Sequence, residues 1–185
     1  VLRASNIRLV ATIDDGTNYD PVLVGIAFAS TARLPEPKDA FVWKDVYEKA
    51  SETLRYGAQP ARIARTYELQ LGERGQMLID AAGEARGEDT ELELFVVNPE
   101  YRSHGVGKAL MAEFQKRLEG LGAQSYWLQT DSTCTWQWYE NHGYTRVADV
   151  ELSADYPMPP TGEPADEAPH VFMYKKDLVT EPAQE

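Results

Sequence analysis

Apolar runs along the chain predict its strands. Residues 6–14 and 22–30 are β-prone, and the Asp-Asp-Gly-Thr-Asn segment between them has the residue types that tight turns prefer. Two such segments joined by a turn predict an antiparallel hairpin. A third apolar run, residues 92–97, precedes Pro99, which cannot donate a hydrogen bond to a sheet, so this central strand is expected to end there.

Helical spacing of apolar residues flanks the central strand on both sides. After Gly105, apolar residues recur every three or four positions as far as Leu118, which predicts a helix that stops at the glycines around Leu121. Residues 38–85 show helical spacing in several pieces and predict a helical insert before the central strand. Within the insert, glycines 57, 72 and 75 are expected to interrupt the helices, and a short helix is expected over residues 76–85.

The remaining strands are expected at residues 125–130, 144–152 and 171–175, with a proline-rich loop before the last of them. A short helix containing Tyr139 is expected between the first two, with Asp131 or Ser132 as its N-terminal cap. This order of elements predicts an α/β fold with a mixed, mostly antiparallel central sheet flanked by helices. The length of 185 residues suits a single domain over 1–185.

Composition narrows the classes of partner and compartment. The net charge of −12 disfavours nucleic acid as a partner; it either favours cationic substrates such as amines or simply keeps the chain in solution. The chain has no run of 18 apolar residues, so no membrane span is predicted. The N-terminus lacks a signal-peptide pattern. A single cysteine is compatible with the reducing cytoplasm, where we expect the protein. The chain begins at Val1, which leaves processing, trimming or a missing upstream segment open. The three histidines lack metal-ligand spacing, so no metal is expected.

The turn between the central strand and the following helix has the features of an anion site. It reads Arg102-x-x-Gly105-x-Gly107. A glycine-rich turn at a helix N-terminus directs free N–H groups and the positive end of the helix dipole at the same point. The nucleotide P-loop is excluded because Ala109 follows Gly107-Lys108, and the dinucleotide fingerprint is excluded because Leu110 occupies its third glycine position.

The same turn, preceded by Val97-Asn98-Pro99, resembles the acetyl-CoA loop of the GNAT superfamily of N-acetyltransferases. A second segment, Trp138 to Tyr144, resembles the family's F/L-Y-x-x-x-G-F segment. The element order is similar from the family's second strand onward, whereas its first strand and first two helices have no clear counterpart. The resemblance implies a GNAT-like acyl-CoA fold and direct transfer of an acetyl group from acetyl-CoA to an amine.

The resemblance also implies a set of cofactor contacts. The backbone of the central strand would face the pantetheine arm, and the N–H groups of the turn would hold the pyrophosphate. Alternatively, Arg102 forms only a surface ion pair, and Ser132 serves only as a helix cap. The implied cofactor-binding residues are Val96, Val97, Arg102, Ser103, His104, Gly105, Val106, Gly107, Lys108 and Ser132.

Three residues are candidates for the chemistry itself. Tyr139 falls on the family position that donates a proton to the leaving thiolate, and the mismatch between a phenol near pKa 10 and a thiol near 8.5 is roughly 1.5 units. Tyr139 is alternatively a packing aromatic residue. Glu91 and Glu93 are two apart on the central strand, hence on one face, and either could take the amine proton; alternatively both are exposed acids.

Other functions remain open at this point. A non-catalytic acyl-CoA-binding or sensor module would keep the fold and lose the acceptor site. An interaction protein would use the helical insert to bind a partner. A covalent intermediate on Cys134 is disfavoured because direct transfer needs no cysteine. The acceptor, a small-molecule or peptide amine, is not identified, and a homodimer is one of the open oligomeric states.

Overall fold

A computed structural model of the chain describes residues 5–14, 16, 21–36, 72–153 and 168–178. Its strands are β1 (Ile7–Ile13), β2 (Val22–Thr31), β3 (Thr90–Val97), β4 (Ser125–Asp131), β5 (Thr145–Glu151) and β6 (His170–Asp177). Its α-helices are α1, whose described part is residues 72–82, α2 (Val106–Gly120) and α3 (Gln137–Asn141). Two 3₁₀ turns cover Gly83–Arg86 and Pro99–Tyr101.

The six strands form one mostly antiparallel sheet in the order β1-β2-β3-β4-β6-β5, as expected for a mixed α/β fold. The predicted hairpin is confirmed, since β1 and β2 pair in antiparallel register with Val10 opposite Ile26. The pairings of β2 with β3 and of β5 with β6 are also antiparallel. All six predicted strands are therefore present, with ends that differ from the predicted bounds by at most two residues.

The chain divides into two compact units, and the first contains β1, β2, β3, α2 and the start of β4. Its core forms where the apolar face of α2 meets the three strands. Gly25 of β2 permits a close approach, because a Cβ at this position would come within 2.9 Å of Leu110 Cδ1 and 3.3 Å of Val106 Cγ1. Phe114 of α2 and Tyr126 of β4 pack edge to face, with ring centroids 5.0 Å apart.

The second unit contains α1, the rest of β4, α3, β5 and nearly all of β6. One face of α1 contributes Leu78 and Ala82 to a core with Trp127 of β4 and Met173 of β6. In the described part of α1, Arg74 forms an ion pair with Asp131 at 3.0 Å, and the two side chains are only 8% and 13% exposed. Burial this deep makes the pair part of the core rather than of the surface.

The glycines of α1 do not behave as predicted. Gly72 and Gly75 were expected to interrupt the helix, but both lie within it. Gly75 lies close to the sheet, because a Cβ at this position would come within 3.2 Å of the side-chain oxygen of Gln129 on β4. Packing against the sheet therefore outweighs the low helix propensity of glycine. The rest of the insert prediction, residues 38–71, falls on residues outside the described ranges, as does most of the predicted loop before β6.

The predicted cap of the Tyr139 helix is also wrong. Helix α3 begins at Gln137 with Trp136 as N-cap, so neither Asp131 nor Ser132 caps it. The Asp131 carboxylate instead accepts hydrogen bonds from the backbone N–H and hydroxyl of Thr133 and pairs with Arg74. The Asp131 side chain is thus engaged in the turn with Thr133, which precedes the helix, and does not cap the helix.

Within the described residues, no helix combines the length and the apolar character needed to cross a bilayer.

Candidate functional site

The turn that follows β3 is built by local hydrogen bonds. The Asn98 side chain accepts a hydrogen bond from the backbone N–H of Glu100 at 3.1 Å and so begins the 3₁₀ turn that contains Pro99. The Arg102 side chain donates from Nε to the Val97 carbonyl oxygen at 3.3 Å. These bonds set the path of the backbone from the end of the strand into the glycine-containing loop.

Two residues of the loop adopt left-handed backbone conformations. Ser103 has φ of 64° and Gly105 has φ of 81°, and Ser103 is the one non-glycine residue in the described ranges with positive φ. Gly105 is the N-cap of α2 and has no side chain with which to cap the first turn. The backbone N–H groups in the first turn of this 15-residue helix therefore have no side-chain cap and can bind a ligand. Anion sites at helix N-termini have this arrangement.

The two glycines of the turn serve different purposes. Open space surrounds the place of a Cβ at Gly105, so this position needs glycine for its backbone conformation. Gly107 needs glycine for space, because a Cβ there would lie 3.3 Å from Phe95 Cζ and 3.5 Å from Val97 Cγ2 of β3. Gly107 therefore lets the helix N-terminus approach the strand closely.

The side chains around the loop favour an anion. Arg102, His104 and Lys108 are all exposed beside the helix N-terminus. One ring nitrogen of His104, Nδ1, lies 2.8 Å from the Arg102 carbonyl oxygen, which fixes the ring against the loop. Cationic side chains and uncapped N–H groups together form a surface that can bind phosphate groups.

A β-bulge marks the part of β3 where the two candidate bases lie. Leu92 pairs with Ala29 and Leu94 pairs with Phe28, so Glu93 is the extra residue of the bulged strand. Bulges re-aim side chains and are common next to active sites. The expectation that Glu91 and Glu93 share a face depends on strict alternation, and the bulge interrupts that alternation at Glu93.

Ser5 holds the Glu93 carboxylate. The fully buried Ser5 hydroxyl donates a hydrogen bond to Glu93 Oε2 from 88 positions away in the sequence. No local pattern pointed to Ser5, since a lone serine near the start of the chain has many ordinary roles. The bond gives the Glu93 side chain a defined orientation.

Tyr139 lies among aromatic rings in the second unit. Its ring is 5.3 Å from the ring of Tyr144 in an edge-on arrangement and 5.5 Å from that of Tyr174 in a stacked one. Burial raises the pKa of Tyr139 well above its ordinary value, and Tyr144, Cys134 and Tyr174 add to the shift. The phenol is therefore a hydrogen donor throughout the physiological pH range.

Comparison with a model of the acetyltransferase (GNAT) domain gives a match over residues 69–146, which includes α1, the glycine turn and Tyr139. Residues 69–146 therefore match the GNAT acetyltransferase domain. A comparison with curated protein sequences found no match.

Solved structures of acetyltransferases resemble this chain in fold. Naa20 of Chaetomium thermophilum in complex with a bisubstrate analogue superposes with a TM-score of 0.51 at 14% identity, and the match covers 92% of this chain and 65% of that one. A mosquito arylalkylamine N-acetyltransferase-like protein gives 0.50 at 19% identity over 91% of this chain and 74% of that one. The chain thus spans about two thirds to three quarters of the length of these proteins. At such identities the likeness concerns the fold alone.

The helix of Tyr139 is only five residues long and is anchored at its C-terminus. The ammonium group of Lys176 on β6 donates to the carbonyl oxygens of His142 and Gly143 at 2.9 and 3.1 Å. Gly143 has φ of 72°, a conformation that suits the glycine at this position. The glycine of the second family segment thus ends the helix that carries Tyr139.

Ser132 is held by β6. Its backbone N–H donates to the His170 carbonyl oxygen at 2.9 Å, and its hydroxyl accepts from the His170 N–H at 3.2 Å. The hydroxyl can still donate a hydrogen bond of its own. Ser132 thus lies at the end of β4, bonded to β6, and remains a candidate ligand contact.

The candidate residues fall into two groups. The first unit contains the central-strand and turn candidates: Glu91, Glu93, Val96, Val97 and residues 102–108. Tyr139 and Ser132 belong to the second unit. Local sequence patterns did not predict the roles of Ser5, Lys176 and Tyr174. Each of them contacts a candidate residue, or the end of the Tyr139 helix, from a distant strand or segment.

Proposed function

We propose that this chain transfers an acetyl group from acetyl-CoA to an amine acceptor by direct attack. The observation that carries the proposal is the uncapped N-terminus of α2 beside Ser103 and Gly105, both in left-handed conformation. Coenzyme A has a pyrophosphate, which suits a site made of backbone N–H groups and exposed cationic side chains.

In this proposal the N–H groups of residues 103–107 bind the pyrophosphate, and Arg102 and Lys108 add charge-assisted contacts. The backbone of Val96 and Val97 binds the pantetheine arm, as the family resemblance implies. The Ser132 hydroxyl offers a further hydrogen bond to that arm. His104 lines the cofactor site and does not act as a base.

The chemistry requires one nucleophile and two proton movements. The amine nitrogen attacks the thioester carbonyl carbon, forming the C–N bond, and the tetrahedral intermediate then breaks its C–S bond. Sulfur leaves with the electron pair and takes a proton from the Tyr139 hydroxyl, which recovers one from solvent. Because burial raises the pKa of Tyr139, the phenol gives up its proton only as sulfur develops charge, so a hydrogen bond that strengthens during cleavage is its main contribution.

The amine must lose a proton before or during attack, since an alkylamine near pKa 10 is mostly protonated at neutral pH. We assign this role to Glu91 or Glu93, acting directly or through water. The bulge and the Ser5 hydrogen bond support Glu93, because both give its carboxylate a defined orientation. The acceptor is then an amine, supported as a class by the net charge of −12, which attracts cations.

Calorimetric titration with acetyl-CoA tests the cofactor site. Saturable binding is expected for the wild type and loss of binding for Gly105→Glu, which places a carboxylate among the anion-binding N–H groups. Gly122→Glu is the matched control, since Gly122 also has positive φ and follows the opposite end of the same helix. If both variants bound acetyl-CoA equally well, the pyrophosphate would not lie at this helix N-terminus.

Transfer is tested separately with a panel of amines and detection of free thiol. Acetylation of one class of amine supports the enzyme, whereas tight binding without transfer to any amine supports the acyl-CoA sensor. Transfer to hydroxyl acceptors alone would contradict the assignment as an N-acetyltransferase.

A further inference from the structure

The helix that carries Tyr139 is too short to hold its own position. Helix α3 has five residues, and helices of this length are not stable in isolation. Contacts from neighbouring strands must therefore place the Tyr139 hydroxyl. One anchor, Lys176, acts at the helix C-terminus. A second set of contacts reaches Tyr139 itself.

Tyr174 of β6 is the residue at the centre of this second set. Its buried ring stacks on the ring of Tyr139, with centroids 5.5 Å apart and planes at 28°. Its hydroxyl donates to Glu140 Oε1 at 3.0 Å and accepts from Arg146 Nε at 3.1 Å. A stacked ring with two hydrogen bonds at its tip is fixed both in tilt and in rotation.

Arg146 completes the arrangement by joining β5 to the same carboxylate. Its Nη2 donates to Glu140 Oε1 at 2.5 Å and its Nη1 to Asp149 Oδ2 at 2.8 Å. The guanidinium group also lies over the rings of Trp136 and Phe172, at 4.9 and 4.3 Å from their centroids. The residue next to Tyr139 is therefore tied to two strands at once.

We propose that Tyr174 is a positioning residue for Tyr139, acting through its stacked ring and through its hydroxyl bonds to Glu140 and Arg146. This inference rests on the proposed function, since it assigns Tyr174 to the group that protonates the leaving thiolate. Tyr174 itself contacts Tyr139 and its helix, so its effect on the rate passes through Tyr139. We name Glu140, Tyr174 and Arg146 the Tyr174 clamp.

The hydroxyl is the part of Tyr174 that a test can remove cleanly. Burial raises the pKa of Tyr174 to about 12, and its hydrogen bond to Glu140 adds to the shift, so the hydroxyl stays protonated and keeps donating under assay conditions. Tyr174→Phe retains the stacked ring and its buried volume. The variant therefore loses the two bonds at the ring tip and little else.

A double-mutant cycle of Tyr139→Phe and Tyr174→Phe measures the coupling in steady-state turnover. Tyr174→Phe alone is expected to lower kcat about tenfold, because small displacements of a catalytic group reduce rates strongly, with little change in KM for acetyl-CoA. In the Tyr139→Phe background the same change is expected to have no further effect. Tyr126→Phe is the matched control, since Tyr126 is equally buried and its hydroxyl accepts from Gln115 at 2.9 Å.

The control separates positioning from stability. Tyr126→Phe is expected to shift the melting temperature about as much as Tyr174→Phe while leaving kcat unchanged. The proposal is overturned if Tyr174→Phe turns over like Tyr126→Phe, or if it slows turnover equally in the presence and absence of the Tyr139 hydroxyl.

A readout independent of activity distinguishes failure of this inference from failure of the proposed function. With ¹³C in the Cζ of tyrosine, the Tyr139 resonance is expected to shift or broaden in Tyr174→Phe and to stay unchanged in Tyr126→Phe. If the wild type transfers no acetyl group, the proposed function fails and the resonance decides the positioning alone. An unchanged Tyr139 resonance in Tyr174→Phe would then overturn the proposal that the Tyr174 clamp positions Tyr139.

Discussion

At the scale of single residues, identical amino acids meet different physical requirements in this chain. Gly105 is needed for its positive φ, whereas Gly107 and Gly25 are needed because the space of a Cβ is already taken. Arg74 and Arg33 both pair with a carboxylate at close to 3 Å, yet one pair is buried and the other is partly exposed. These differences set which substitutions the chain tolerates.

The proposed proton donor gives the first prediction. Tyr139→Phe is expected to lower kcat about 100-fold, the low end for loss of general acid catalysis, with little change in KM for acetyl-CoA. Because burial raises the pKa of Tyr139, the wild-type rate should show no basic limb from this residue below its ordinary value of about 10. Steady-state rates across pH check both points. Unchanged turnover of Tyr139→Phe across pH would contradict the acid role.

The two candidate bases give the second prediction. Glu93→Gln is expected to lower kcat more than Glu91→Gln, because Ser5 orients the Glu93 carboxylate and the bulge re-aims it. Ser5→Ala should reproduce part of the Glu93→Gln loss, and Ser5→Thr should restore it by keeping the hydroxyl. Rates of the four variants at saturating amine provide the measurement. If Glu91→Gln and Glu93→Gln both matched the wild type, the base would lie elsewhere.

At the scale of elements, periodicity predicted the strands, and packing decided the details that it missed. Each strand's apolar run is a local property, so β1 to β6 were all predictable. Gly75 packs near Gln129, and Asp131 pairs with Arg74 as well as with nearby Thr133; Gln129 and Arg74 both lie more than 50 residues away in sequence from these partners. Likewise the glycine turn and Tyr139 were predictable from local patterns, whereas Ser5 and Tyr174 act across tens of residues.

Docking of helix α2 on the sheet gives a third prediction. Gly25→Ala is expected to destabilise the fold by about 1 to 3 kcal/mol, because its Cβ would press against Leu110, Val106 and the Val96 carbonyl oxygen. Gly120→Ala, at the open end of the same helix, should change stability by less than about 0.5 kcal/mol. Urea unfolding measures both. Equal stabilities for the two variants would show that the helix can shift to make room.

The buried pair that joins α1 to β4 gives a fourth prediction. Arg74→Met should destabilise the fold by about 3 kcal/mol because it leaves the Asp131 carboxylate buried without its partner. Arg33→Met, which breaks the partly exposed pair with Glu88, should cost less than about 1 kcal/mol. Within the described ranges, Nε and Nη1 of Arg74 are buried without a hydrogen-bond partner, so a double replacement by apolar residues should recover much of the loss.

The same pair predicts how stability depends on pH. Burial alone would raise the pKa of Asp131, but hydrogen bonds from Thr133 and Arg74 outweigh it and lower the pKa below its ordinary value. A lowered pKa means that the unfolded chain binds the proton more readily, so the contribution of Asp131 is complete above about pH 4 and is lost as the pH falls further. Asp131→Asn should flatten the acid side of the stability curve, as urea unfolding from pH 3 to 6 would reveal.

At the scale of the whole molecule, charge is the property that bears on function. The net charge of −12 is spread over 30 acidic and 18 basic residues, whereas the glycine turn presents exposed Arg102 and Lys108. In the proposed function, the anionic cofactor would approach a locally basic patch on an acidic molecule. A cationic acceptor would be attracted by the molecule as a whole.

The electrostatic field of this acidic molecule gives the fifth prediction. For a diamine acceptor, kcat/KM is expected to fall several-fold between 20 and 300 mM salt, because screening shortens the reach of the field to roughly 6 Å at the higher salt. An amine that also has a carboxylate should show little or opposite dependence. Initial rates with the two acceptors at matched concentrations provide the comparison. Identical salt dependence for both would exclude long-range attraction as a factor in acceptor choice.

The position of β6 between β4 and β5 has a consequence for biosynthesis. Among the described strands, β6 is synthesised after the other five yet occupies an inner place in the sheet, so β5 has no neighbour of this set until residues 170–177 have left the ribosome. At roughly 5 to 20 residues per second, the strands before it wait for seconds with open edges. Tyr174 and Lys176 arrive in β6. The helix of Tyr139 therefore acquires both of its anchors only after the other five described strands have been synthesised.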